Sequence, residues 1–89
     1  MVKLEVFSGD PPCPGCVALV ELAERVAARY PGELEMTVLQ GEAAVEKFEA
    51  YRLFCVPAAV VNGSIRIEGM CPSEATLNNA LREGGLCLK

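Results

Sequence analysis

Two cysteines only two residues apart, Cys13-Pro14-Gly15-Cys16, stand where an alternating stretch gives way to a helical one. Before them, Val2, Leu4 and Val6 alternate with Lys3, Glu5 and Phe7, which is the two-residue period of a β-strand. Gly9-Asp10-Pro11-Pro12 then breaks the strand. After them, residues 14–30 place Cys16, Leu19, Val20, Ala23, Val26, Ala27 and Tyr30 at three- and four-residue steps, the stripe of an amphipathic helix. Glu21, Glu24, Arg25 and Arg29 fall on the opposite face and read as solvated. The dithiol is therefore fixed at a strand-to-helix junction, so the chain must begin with a βα unit.

The rest of the chain extends that unit. Pro31-Gly32 stops the first helix, and residues 33–39 alternate again with Leu34, Met36 and Val38 inward. A shorter helix is expected over 42–52, anchored by Val45 and Phe48. Residues 58–61 and 65–68 flank Asn62-Gly63, the pair best suited to a two-residue hairpin because both tolerate positive φ. Ser73 is placed to cap a last helix with Leu77, Ala80 and Leu81 inward, ended by Gly84-Gly85. The expected order is β-α-β-α-β-β-α. A right-handed crossover makes the first two strands parallel and the hairpin makes the last two antiparallel. The predicted fold is α/β, a four-stranded mixed sheet with helices on both faces, as a single domain over 1–89.

Bulk properties exclude several functions. The 89 residues carry a formal net charge of −4 and no basic run, which argues against nucleic acid and anionic membranes as partners. The uncharged apolar stretch over residues 55–65 contains Pro57, Asn62 and Gly63 and is too short to span a bilayer. Lys3 and Glu5 interrupt any signal-peptide core, so a cytoplasmic protein is expected. With 52% apolar residues the chain can build a core without disulfide staples. Its five cysteines are an odd set, and its lack of histidine removes Cys–His nucleophile pairs and mixed Cys/His zinc sites.

The chemistry follows from position. A cysteine at a helix N-cap can accept from free backbone N–H groups, and such placement lowers a thiol pKa from about 8.5 to roughly 3.5–7.5. Cys13 is the candidate for that place, with Pro14 suited to the first helical turn and Gly15 leaving the loop tip bare. Cys16 lies on the apolar stripe, so its sulfur is expected to be covered. Attack by Cys13 on a disulfide would give a mixed disulfide for Cys16 to resolve.

The element order, CPGC at the first junction and Val56-Pro57 just before the third strand together resemble the thioredoxin/glutaredoxin superfamily over nearly the whole chain. The small size looks closest to the short glutaredoxin-like thioredoxins of bacteria and archaea. The resemblance implies a thiol–disulfide oxidoreductase that needs no cofactor and works as a monomer. Cys13 would be the exposed nucleophile, Cys16 the buried resolving thiol and Pro57 a cis-proline facing them. Pro14, Gly15, Cys55, Val56 and Pro57 would make up the substrate surface. Partners would be protein disulfides together with a reductase or thiol electron donor.

The chain also departs from its models. Pro12 stands where typical thioredoxins have Trp, and no acid equivalent to their buried one is evident around Phe7 and Ser8. The glutathione clamp of glutaredoxins is reduced to Glu68-Gly69-Met70-Cys71, which favours a protein disulfide over glutathione. The alternative is a module that binds or transfers metal through Cys13 and Cys16, with or without Cys55, or holds an iron–sulfur cluster between two protomers. Cys71 is expected to pack as a small residue, and Cys87 lies in the tail.

Overall fold

A computed structural model of the chain describes residues 2–9, 11–69 and 71–86. Seven elements follow in the order β1 (Val2–Ser8), α1 (Pro14–Ala28), β2 (Leu34–Gln40), α2 (Glu42–Ala50), β3 (Ala58–Val61), β4 (Ile65–Glu68) and α3 (Glu74–Glu83). The four strands form one sheet ordered β2-β1-β3-β4. β1 pairs in parallel with β2, from Val2 opposite Leu34 to Ser8 opposite Gln40, and antiparallel with β3. β3 and β4 are antiparallel neighbours.

The central place of β1 explains its composition. Val2, Leu4 and Val6 join Leu19, Leu22, Ala23 and Val26 of α1 and Leu77, Ala80 and Leu81 of α3 in the larger core. Phe7 points the other way and is fully buried with Ala44, Leu53, Ala58 and Val60, beneath α2. Phe48 and Tyr51 meet its ring edge-on at centroid distances of 6.2 and 6.1 Å. Each fully buried side chain of this size is worth roughly 1.5–3 kcal/mol.

The hairpin forms as its sequence predicts. Asn62 and Gly63 both take positive φ, 52° and 73°. Asn62 also ties distant segments together: its Oδ1 accepts from the Lys3 N–H at 2.8 Å, and its Nδ2 donates to the Gly84 carbonyl at 2.7 Å. Ser73 caps α3, its Oγ accepting from the Thr76 N–H at 3.1 Å.

Three expectations need correction. α2 ends at Ala50, not near Arg52, because Arg52 takes φ 55°. The Leu53 N–H then reaches back to the Phe48 carbonyl and the Arg52 N–H to that of Glu49, a Schellman closure built without glycine. Val45 is not an anchor of α2. It is 53% exposed, since the face turned to the sheet follows Ala44, Phe48 and Tyr51. Val38 is not inward either: it is 40% exposed, because α1 covers the Leu34 end of β2 and leaves a cavity at the other end.

Candidate active site

β1 delivers the chain to the site. Beyond Ser8 and Gly9, the prolines Pro11 and Pro12 lead to Cys13, which occupies the N-cap of α1 with φ −79° and ψ 167°. Pro14 fills the first helical position, where its missing N–H leaves no bond unmade. The Cys16 N–H donates to Cys13 Sγ at 3.2 Å, so the cysteine sulfur does the work of a capping oxygen. Cys13 is half-buried, whereas Cys16 is only 1% exposed. Both are free thiols with their sulfurs 2.9 Å apart.

Cys16 is held from a second side. The Gly9 N–H points at its sulfur at 3.4 Å. Burial pushes the Cys16 thiol up, but the Cys13 sulfur, the Gly9 and Cys13 backbones and the Ser8 hydroxyl outweigh it and hold the thiol below its ordinary value. Gly9 in turn is anchored through its carbonyl, which accepts from Gln40 Nε2 at 3.0 Å and from Ser8 Oγ at 3.1 Å.

The other residues marked in the sequence gather unevenly around this pair. Pro57 is buried and follows a cis peptide bond. A Cβ added at Gly15 would lie 3.4 Å from Pro57 Cγ and 3.8 Å from Cys13 Sγ, so Gly15, Pro57 and the dithiol face one another. The Val56 side chain is exposed, 3.6 Å from where a Gly9 Cβ would sit. Pro14 is exposed beside Cys13. Cys55 is exposed and its sulfur packs against Gly69. Among the described residues no three His, Cys, Asp or Glu side chains come together as a metal-ligand set, so Cys55 does not complete one with Cys13 and Cys16. Cys71 is half-buried against the larger core, and Cys87 lies outside the described residues.

Shallow cavities flank the Ser8–Gly9 corner. One of about 320 Å³, on the β2 side, is lined by Cys16, Pro12, Val17, Val20, Val38 and Gln40 among others. Another of about 440 Å³, on the α2 side, is lined by Gly9, Val45, Phe48 and Val56. Of the two valines expected in the core, Val38 thus lines the cavity that Cys16 shares, and Val45 the one on the other side of Gly9.

Sequence reasoning missed Gly9 as a partner of Cys16 and Gln40 as a partner of Gly9. A signal existed: a parallel crossover brings the end of β2 beside the end of β1, here Gln40 opposite Ser8. It also missed a buried acid. Glu5 is 8% exposed, on the α2 side of β1, and accepts from Lys47 Nζ at 2.7 Å and Tyr51 Oη at 2.6 Å.

A thioredoxin domain model matches residues 2–82. The chain belongs to the thioredoxin domain family. Two archaeal relatives described as Probable Thioredoxin, from Methanothermobacter thermautotrophicus and Methanothermobacter marburgensis, are each 29% identical over 83 residues, covering 93% of this chain and 95% of theirs. A mutant thioredoxin from Halobacterium salinarum superposes with a TM-score of 0.77 at 20% identity, over 99% of this chain and 78% of that one. A thioredoxin-like protein from Clostridium perfringens gives 0.77 at 20% identity, over 96% and 71%. These structures share the fold. The enzyme class of this thioredoxin-family chain is thiol–disulfide oxidoreductase. No helix among the described residues is long and apolar enough to cross a membrane.

Proposed function

We propose that this chain exchanges disulfides with protein partners in the cytoplasm through the Cys13-Pro14-Gly15-Cys16 dithiol, with Cys13 as nucleophile and Cys16 as resolving thiol. The observation that carries the assignment is the asymmetry of two sulfurs 2.9 Å apart: Cys13 caps the helix half-buried, while Cys16 is 1% exposed. Only the sulfur a partner can reach can make the first bond.

In the reducing direction, Cys13 as thiolate attacks one sulfur of the partner disulfide. The Cys13–partner bond forms, the partner's S–S bond breaks, and the leaving thiolate takes a proton from solvent. Cys16 as thiolate then attacks Cys13 Sγ. The Cys13–Cys16 bond forms and the second partner thiolate leaves. Two electrons pass from the dithiol to the partner, and a reductase or thiol donor returns them. Val56 and Pro57, with Gly15 bare between the cysteines, form the surface on which an extended partner segment lies.

Insulin reduction with dithiothreitol as donor tests this reading. Wild-type protein is expected to catalyse it and Cys13→Ser to abolish catalysis, while Cys16→Ser accumulates a mixed disulfide visible by mass spectrometry. An unchanged rate with Cys13→Ser would refute the proposal.

A further inference from the structure

Resting on the dithiol reading above, we propose that Gln40 and Gly9 form an amide clamp that keeps Cys16 ready as the attacking thiolate in the resolving step. The Gly9 N–H donates to Cys16 Sγ at 3.4 Å, and a buried thiolate requires such a donor because bulk water cannot reach it. Gly9 lies in an irregular turn just beyond β1, which by itself would not fix where its N–H points. Its carbonyl is what holds it, accepting from Gln40 Nε2 at 3.0 Å and Ser8 Oγ at 3.1 Å. Gln40 is the last residue of β2 and is exposed, so its amide is not needed to fill the core. Gly9 therefore touches the reacting sulfur, and Gln40 is a positioning residue that acts through Gly9.

The clamp stands where a carboxylate is not found. Ser8, 5% exposed, occupies the β1 position beneath Cys16 and carries no charge. Around Cys16, α1 contributes the Cys13 thiol at 2.9 Å and the Glu21 carboxylate, which lines the same 320 Å³ cavity; β1 and β2 contribute the uncharged Ser8, Val38 and Gln40. Glu21 opposes a thiolate, so the stabilisation falls to the hydrogen bonds at the sulfur, from Cys13 and from the Gly9 N–H. The Cys13 sulfur first, then the Gly9 and Cys13 backbones and the Ser8 hydroxyl, bring the Cys16 thiol below its ordinary value despite burial. In the resolving step the Cys16 lone pair forms the bond to Cys13 Sγ and the partner thiolate departs. The Gly9 N–H releases its charge-assisted bond as the negative charge leaves Cys16.

The test uses the full chain with Cys55, Cys71 and Cys87 replaced by serine, and 5,5′-dithiobis(2-nitrobenzoate) as the disulfide. Cys13 captures the reagent with release of one thionitrobenzoate, and Cys16 releases the second, so stopped-flow absorbance separates the two steps. Gln40→Met removes the donor while keeping the side-chain length. The second phase is expected to slow about threefold near pH 7, the rate approaching that of the parent above pH 9, with little change in the first phase. In the Cys13→Ser background, the 240 nm titration of Cys16 is expected to shift upward by roughly half a pH unit, the same threefold change. Gln40→Glu also loses the donor and is expected to shift in the same direction.

A field effect alone would move Gln40→Glu and leave Gln40→Met unmoved. That result, or two unmoved midpoints, overturns the clamp. Full insulin-reductase activity in Cys13→Ser would instead sink the dithiol reading, so the two failures are told apart.

Discussion

Replacing Tyr51 by phenylalanine isolates the polar contact buried on the α2 side of the sheet. The hydroxyl donates to Glu5 Oε1 at 2.6 Å, and the Glu5 side chain is only 11% exposed. Phenylalanine keeps the edge-on contact with Phe7, 6.1 Å between centroids at 89°, so no cavity is opened. What is lost is a hydrogen bond to an ionised, mostly buried carboxylate, worth about 1.5–3 kcal/mol. Lys47 remains as a second partner, but its side chain is 52% exposed and offsets little. A loss of about 2 kcal/mol at pH 7 is expected from the range for charged hydrogen bonds.

The pH dependence makes the expectation specific. Burial raises the Glu5 pKa, but hydrogen bonds from Lys47 and Tyr51 and the charges of Lys47 and Lys3 outweigh it and bring it below its ordinary value. A carboxylate with a depressed folded pKa contributes stability above its unfolded pKa, about 4.3, and loses it as pH falls through the folded value. The Tyr51 pKa is raised, first by its bond to Glu5, so its contribution is present below about 10 and lost as pH rises through the folded value. Urea unfolding of wild type and Tyr51→Phe should therefore show a gap that is widest between about pH 5 and 10 and narrows on both sides. A gap below 0.5 kcal/mol at pH 7, or one that stays flat from pH 7 to pH 2.5, would refute the reasoning.

Three further outcomes follow from the geometry. Gly84→Ala puts a Cβ 2.6 Å from Val61 Cγ1 and 3.2 Å from Asn62 Nδ2; overpacking of this kind costs about 1–3 kcal/mol, read as a lower urea midpoint with unchanged slope. Asn62→Ala removes both the Lys3 and Gly84 bonds and leaves alanine at positive φ, so a loss of about 2 kcal/mol is expected in the same assay. Phe54 is 88% exposed just ahead of Cys55, Val56 and Pro57. Phe54→Ser is expected to leave stability within about 0.5 kcal/mol while raising KM for a protein disulfide several-fold.

The parts of this fold that could be read in advance are those where one local signal decides. Alternation in β1, the Asn62-Gly63 turn and the Ser73 cap each act over a few residues, and the structure agrees with each. Cys16 on the apolar stripe of α1 is the same kind of inference, and it is buried as expected. Periodicity failed where coverage depends on distant elements. Val38 alternates correctly yet lies where α1 no longer covers β2, and Val45 is one residue off the face that α2 turns to Phe7. The end of α2 was hidden because its left-handed residue is Arg52, not glycine. Nothing local marks Glu5 as buried, because only tertiary contact brings Lys47 and Tyr51, more than 40 positions away, to its carboxylate. The same holds for the Gly9–Gln40 pair, 31 positions apart.

Gly15 stands between the Pro57 ring and the Cys13 sulfur with no side chain of its own. A single methyl there would already touch the Pro57 ring at 3.4 Å and stand 3.8 Å from the Cys13 sulfur. A longer side chain would roof the sulfur or push the loop away from Pro57. Growth of the side chain at this one position between the cysteines is thus expected to hinder extended polypeptide before slender thiols.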